Sequence, residues 1–169
     1  MEDAGVYTDV RGFIRCVGVL VILANVACSP NVDLTRGVRI ESIATGWYEA
    51  MAAEGQIKLV PAVRLRIANA STQTLRTLQV NAVFKRVTED TEWGSGFRTV
   101  AGSTGLSPTN TSESVFIRSE LGYVGTESRV DMLKNSHFVD ARVDIFAKYQ
   151  STTWAPIGHY PIARTLIEP

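Results

Sequence analysis

Apolar residues recur at every second position along much of the chain from Val38 onward. In the segment VPAVRLRI at 60–67, aliphatic residues alternate with Arg64 and Arg66, and residues 139–149 repeat the pattern. A period of two is typical of half-buried strands, in which successive side chains point to opposite faces of a sheet. The pattern therefore predicts strands with one face in a core and the other in water.

Further strands follow the same rule and are separated by turn-forming residues. They are predicted at 78–84 and 115–117, and more weakly at 38–44, 96–101 and 154–166, with turns at 69–74, 89–91 and 103–112. One short helix is predicted over 129–135, because Ser128 and Asp131 form a capping-box-like start. About seven short strands at such spacing predict an all-β fold, an immunoglobulin-like antiparallel β-sandwich.

The start of the chain does not follow this pattern. Residues 17–27 read VGVLVILANVA and come after Arg11 and Arg15. A basic segment followed by a short apolar one is the order of a secretory signal peptide. The run is too short to cross a bilayer, which needs roughly 20 apolar residues. The alternative is a buried helix or strand at the start of the fold.

The apolar run ends at Ala27-Cys28-Ser29, preceded by Val26 and Asn25. These residues resemble the lipobox of bacterial lipoprotein signal peptides, although Asn25 stands where that family usually has Leu. The resemblance implies that the Cys28 thiol is acylated and that the peptide is cut between Ala27 and Cys28. Because Ser29 is not Asp, the resemblance also implies an anchor in the outer membrane, with the domain facing the periplasm.

Cysteine usage agrees with this interpretation, since the chain has two cysteines and Cys16 lies within the predicted signal peptide. The mature chain would keep Cys28 alone and would form no internal disulfide. A Cys16–Cys28 disulfide and an inert buried thiol remain as alternatives. The predicted organisation is a signal peptide at 1–27, a lipidated cysteine and tether at 28–37, and the sandwich domain at 38–169.

Three short motifs occur between residues 59 and 122. They are an Asn-x-Ser turn at 69–71, the strand Leu-x-Val-x-Ala-x-Phe at 78–84 and a Leu-x-Pro loop at 106–108. In this order they resemble the small bacterial immunoglobulin-like sandwiches of the FxLYD kind. The resemblance covers less than half of the chain, and what it implies is the fold.

Composition narrows the classes of function. With 169 residues, 45% of them hydrophobic and 20% charged, the chain can bury one core and is not expected to be disordered. Its 17 basic and 17 acidic residues give a formal net charge of zero. A nucleic-acid partner is not expected, because phosphate binding relies on an excess of Lys and Arg.

Few residues suggest chemistry. His137 and His159 are the two histidines, and neither has a second ligand at metal spacing. A serine–histidine–aspartate arrangement around His137 would have to draw on Ser119, Ser136, Asp131 or Asp140. No nucleophile elbow is present to hold such a serine. Neither a catalytic residue nor a metal or other cofactor is therefore predicted.

Two short segments could be taken for a phosphate-binding loop and a calcium-binding loop, but both are predicted to be parts of a hairpin. The glycine-bearing segment at 93–97 predicts a hairpin, because no helix and no Lys-Ser/Thr pair follows it as a phosphate loop requires. The acidic residues Glu89, Asp90 and Glu92 lack the regular ligand spacing of a calcium loop and predict a solvated hairpin tip.

Aromatic side chains near predicted loops are the better candidates for a binding surface, because clustered rings offer a large contact area. They are Trp47, Tyr48, Trp93, Tyr123 and Trp154. The alternative is that the tryptophans close the ends of the sandwich core. The leading hypothesis is a cell-envelope lipoprotein, not an enzyme, whose sandwich binds or assembles with another envelope protein. A lipid-binding or transport-accessory lipoprotein and an envelope enzyme acting through His137 are the alternatives.

Overall fold

The structure is a computed structural model that describes residues 32–150 and 153–169. Within these ranges the chain forms eight strands in two antiparallel sheets and two short helices, which confirms the all-β sandwich. The elements are α1 (Leu34–Gly37), β1 (Val38–Ala50), β2 (Ile57–Asn69), β3 (Gln79–Arg86), β4 (Glu92–Thr99), β5 (Val115–Arg118), β6 (Tyr123–Gly125), α2 (Arg129–Lys134), β7 (Ala141–Lys148) and β8 (Ala155–Pro161). The predicted signal peptide and Cys28 lie outside the described residues.

The two sheets are built around long central strands. In the first, β1 pairs with β2 over its whole length, and β5 and β6 pair with the opposite edge of β2. The second has the order β4-β3-β7-β8. Their inner faces supply a common core in which each of these side chains is at most 1% exposed: Leu65, Ile67, Val80, Phe84, Ile117, Val143 and Ile145. Arg64 and Arg66 point outward, as the alternation predicts.

Several elements differ from the prediction; β4 begins at Glu92 instead of residue 96, and β8 ends at Pro161 instead of residue 166. β1 continues to Ala50 instead of ending near residue 44, and β6, which was not predicted, has only three residues. The predicted helix is confirmed as α2, where the Ser128 side chain accepts a hydrogen bond from the Asp131 N–H. Among the described residues, no helix is long and apolar enough to span a bilayer.

The folded unit begins earlier than predicted. Residues 34–37, which the sequence placed in the tether, form α1, and the Asp33 side chain accepts a hydrogen bond from the Thr35 N–H. Leu34 is only 7% exposed and belongs to the core. A capping aspartate followed by a buried leucine is enough to fold this turn onto the sheets. Residues 34–37 therefore belong to the folded domain and not to the predicted tether.

The sandwich has two ends of different character. The near end carries α1 and the loops at 70–78 and 100–114, whereas the far end carries the hairpin turns at 51–56 and 87–91 together with residues 119–140. β1 and β2 have 13 residues each and run from one end to the other. At about 3.3 Å per residue they separate the two ends by about 43 Å.

Glycines allow the two sheets to approach each other along β4. Gly94 and Gly96 lie opposite Phe84 and Ala82, on the inner face of β4. A Cβ atom on Gly96 would lie 2.8 Å from the carbonyl oxygen of Arg118 in β5, which is closer than carbon and oxygen can pack. The glycines follow the β3–β4 hairpin, as predicted, and they also permit contact between β4 and β5.

The outer edge of β1 is covered by a segment near the end of the sequence. The N–H of Trp47 donates to the carbonyl oxygen of Thr165 at 2.8 Å, and the N–H of Ile167 donates to the carbonyl oxygen of Trp47 at 2.9 Å. Leu166 thus forms a parallel bridge with Trp47. Gly46 makes this possible, because a Cβ atom there would lie 2.6 Å from the Thr165 oxygen.

Candidate functional site

Four aromatic rings meet at the far end of the sandwich. β1 supplies Trp47, the start of β4 supplies Trp93, β6 supplies Tyr123, and the loop after α2 supplies Phe138. The ring centroids of Trp47 and Phe138, and those of Tyr123 and Phe138, are 4.5 Å apart, and those of Trp93 and Tyr123 are 5.1 Å apart. Trp47 is 0% exposed, so it closes the end of the core and offers no surface to a partner.

The other aromatic candidates lie elsewhere. Tyr48 is on the outer face of the first sheet, with its ring 5.4 Å from that of Phe116 and with the Arg118 guanidinium above it. Trp154 is at the near end, where the ammonium of Lys148 lies 4.7 Å from the indole centroid. The five residues singled out from the sequence therefore do not form one surface.

A cavity of about 310 Å³ opens beside the aromatic cluster. One wall is the continuous segment 123–127, which contains β6, and the other comes from α2 and the loop that follows it. Met132 and Phe138 are buried and form the inner part of the second wall. At the rim of the cavity, Glu127 is exposed on the first wall and His137 on the second. Sequence reasoning singled out Tyr123 and His137 but not Glu127 or Met132, because no local pattern links these positions.

Arg164 holds the wall formed by the loop after α2. Its Nε donates to Oδ1 of Asp140 at 2.6 Å, its Nη2 to the carbonyl oxygen of Phe138 at 2.6 Å, and its Nη1 to that of Leu133 at 3.2 Å. The guanidinium carbon also lies 5.4 Å from the ring centroid of Phe138. Because one planar guanidinium binds the carboxylate of Asp140 and the carbonyl oxygens of Leu133 and Phe138, this wall is already fixed in the absence of a ligand.

Three of the four residues considered for catalysis around His137 have other partners. Ser119 is buried, and its Oγ accepts a hydrogen bond from the Leu121 N–H. Asp131 belongs to the cap of α2, and Asp140 binds Arg164. No hydrogen bond joins the His137 ring to any of these groups in the part of the chain that the structure describes. The same ranges contain no group of three metal-ligating side chains.

The acidic residues at the β3–β4 hairpin form ion pairs. Glu89 contacts Arg86 at 3.2 Å, and Asp90 contacts Arg142 at 2.6 Å. Both contacts join the hairpin to the central strands of the second sheet. The hairpin-tip interpretation of this acidic group agrees with these contacts.

The lipid-carrier hypothesis calls for an apolar cavity between the sheets. That space is filled by core side chains of both sheets, among them Ile67, Phe84 and Ile145. Besides the cavity at the far end, two open grooves of about 510 and 520 Å³ lie on either side of Arg118. Together they are lined by surface residues of the first sheet, of β4 and of neighbouring loops, so lipid carriage stays a prediction without a cavity assigned to it.

An ion-pair cluster on the outer face of the second sheet leads to a pH prediction. Asp144 lies between the Lys85 ammonium, at 3.0 Å, and Nδ1 of His159. Burial raises the pKa of Asp144, but hydrogen bonds from His159 and Lys85 and the positive charges of those groups outweigh it, so this pKa lies below its ordinary value.

Because the pKa is lower in the folded state, Asp144 stabilises the fold above the unfolded-state pKa of about 3.9, and this contribution is lost as the pH falls through the folded-state pKa. We expect the Asp144→Asn variant to lose part of its stability at pH about 6 but to match the parent at pH about 2. Urea unfolding at the two pH values measures this. An equal difference at both would show that the carboxylate charge is not the cause.

No family model matches the chain, and no curated protein sequence matches it. Among solved structures, the Northeast Structural Genomics Consortium target SoR45 is 15% identical, with a TM-score of 0.43 over 77% of this chain and 89% of that chain. AT1g01470 from Arabidopsis thaliana is 8% identical, with a TM-score of 0.43 over 78% and 83%. The putative ApaA protein from Bordetella pertussis is 14% identical, with a TM-score of 0.40 over 75% and 92%. Likenesses at this level identify neither a family nor an activity.

Proposed function

We propose that this protein is a lipid-anchored, non-catalytic binding module of the bacterial cell envelope, which holds another envelope protein at the far end of its sandwich. The observation that carries the proposal is the order of segments in the sequence. Basic residues precede the apolar run at 17–27, Cys28 follows a small residue, and a folded domain begins a few residues later. This order is typical of an exported lipoprotein precursor.

The short connection to the domain supports an orientation. Only residues 29–32 separate Cys28 from Asp33, which caps α1 at the near end. At full extension the link from Cys28 to Asp33 reaches about 18 Å. Acyl chains on Cys28 would therefore hold the near end close to the membrane surface. The aromatic cluster and the cavity, at the far end, would then point into the periplasm.

The anchor is tested by intact mass and N-terminal peptide analysis of the protein from a bacterial membrane fraction. We expect a mature chain that begins at an acylated Cys28, and a Cys28→Ala variant that keeps residues 1–27 and carries no acyl mass. The same cells fractionated for soluble protein serve as the control. Recovery of the parent chain with Met1 still attached, and without an acyl chain, would contradict the proposal.

The partner is tested by photo-cross-linking in living cells. Benzoylphenylalanine is placed at Thr126, which lines the cavity, or at Thr104, which is exposed at the near end. We expect one reproducible envelope-protein adduct from Thr126 and none of the same mass from Thr104. Identical adducts from both positions would show that the far end has no special part in binding.

A further inference from the structure

We propose that the cavity beside β6 is a docking groove for an extended peptide segment of the partner, one that places an apolar side chain next to a basic side chain. The proposal rests on the proposed function, because it assigns the surface through which the binding module would hold its partner. It also states the chemistry of the segment that fits there.

The first argument is the unpaired edge of β6. This strand pairs with β2 along one edge, through Ile57, Lys58 and Leu59. Apart from this pairing, no backbone hydrogen bond joins residues 123–127 to another segment within the described residues. In an antiparallel strand, alternate residues direct both N–H and C=O away from the paired neighbour. Because the same residues line the cavity, an extended segment placed there would meet free donors and acceptors, as in strand addition.

The second argument is the apolar surface opposite that edge. Met132 and Phe138 are 6% and 5% exposed, and both line the cavity together with Tyr123. One side chain of an added strand would point towards these three residues, since side chains alternate between faces. A methionine adapts to the shape of such a side chain. The volume of about 310 Å³ is at the lower end for ligand sites, so it suits a short segment.

The third argument is charge. Glu127 is exposed, is the one carboxylate among the residues that line the cavity, and has no ion pair within the described residues. The nearest cation in sequence, Arg129, is already bound to Glu49 at 2.9 Å. Glu127 therefore remains available to a Lys or Arg of the partner, next to the apolar wall. The Asn135 amide and the His137 imidazole add polar groups on the opposite rim.

The methionines provide a direct measurement. The chain has three, of which Met132 lines the cavity and Met51 is 96% exposed in the β1–β2 hairpin. The full chain is labelled with ¹³C-methyl methionine in detergent and titrated with the blocked peptide Thr-Val-Lys-Leu-Lys-Val-Thr. We expect the Met132 methyl signal to shift and saturate with a Kd on the order of 1 mM or tighter, and the Met51 signal to stay in place.

Two matched peptides test the two recognition elements. Replacing both lysines by glutamates removes the attraction to Glu127, and methylating alternate backbone nitrogens removes the hydrogen bonds to the β6 edge. We expect either change to reduce the Met132 shift at the same concentration, in line with binding that is weakened at least about threefold. If the three peptides shift Met132 equally, the site takes any apolar ligand and the proposal is wrong.

Two matched variants test whether Glu127 is the carboxylate that binds the lysines of the peptide. Glu127→Gln is expected to weaken binding of the lysine peptide roughly three- to fivefold, whereas Glu120→Gln, an exposed carboxylate outside the cavity, leaves it unchanged. If the Met132 methyl signal does not shift when the lysine peptide is added, or if only the Met51 signal shifts, the docking-groove proposal is wrong. An acylated Cys28 with a partner cross-linked at another part of the far end would then leave the proposed function standing, whereas an unacylated chain would remove that function whatever the peptides do.

Discussion

Replacing Trp47 with alanine is expected to lower the free energy of unfolding by about 3–5 kcal/mol. The indole is fully buried and contacts the rings of Trp93, Tyr123 and Phe138, which come from three separate parts of the chain. These neighbours are held by their own strands and by the loop after α2, so they cannot fill the space that the indole leaves. Urea unfolding followed by circular dichroism measures the loss.

The control is Trp154→Ala at the near end. Trp154 is half-buried and its recorded ring contact is with the Lys148 ammonium, so this variant should lose less than about 1 kcal/mol. Equal losses in the two variants would mean that the aromatic cluster does not hold the far end together. In the methyl spectrum, Trp47→Ala should also move the Met132 signal without any peptide, because the cavity wall shares Tyr123 and Phe138 with the cluster.

The second large effect is expected at Asn69, at the near end. Its side-chain Nδ2 donates to the carbonyl oxygens of Gln73 at 2.8 Å and Leu106 at 2.7 Å, and its Oδ1 accepts from the N–H of Ser71 at 2.9 Å and from the Ser71 Oγ at 2.7 Å. Asn69→Ala removes all four of these hydrogen bonds at a residue that is 1% exposed. We expect a loss of about 2–3 kcal/mol in the free energy of unfolding.

Asn110→Ala is the matched control for Asn69. Asn110 lies at the same end with an exposed side chain, and its carbonyl oxygen, which accepts from the Asn69 N–H at 2.9 Å, is kept in the variant. Chemical denaturation should show a change within about 0.5 kcal/mol for this variant. A comparable loss at Asn110 would indicate that the loop is sensitive to any side-chain deletion.

The strands that the sequence predicts are those with one face in the core and the other in contact with solvent. β3 and β7 each bury one face and leave the other partly exposed, and β2 does the same around Arg64 and Arg66, so the alternation is visible there. The second half of β1 lacks that contrast, because Trp47 faces the core while Tyr48, on the outer face, packs against Phe116. β6 has three residues, too few to display any period. Its existence depends on pairing with β2 and not on a local pattern.

The candidate site is less predictable than the fold, for a related reason. Tyr123 is visible in the sequence as an aromatic residue near glycines, but the cavity also needs Met132 and Phe138, which reach it from a helix and from the loop after it. Their meeting depends on Arg164, which binds that loop from a distant part of the chain. The burial of Trp47 likewise follows from long-range packing, whereas the capping role of Ser128 is local and was predictable.

The segment that covers the outer edge of β1 bears on how the domain folds. Ile167 lies 120 positions after Trp47, to which its backbone is bonded. Because the chain is made, and in the proposed function also exported, from its N-terminus onward, β1 is available early and its outer edge stays open until residues 165–167 follow. Closing so long a loop is slow, so folding in milliseconds to seconds is expected instead of the microseconds typical of local helical folds. During that interval the exposed edge of β1 is the part of the chain most open to mispairing.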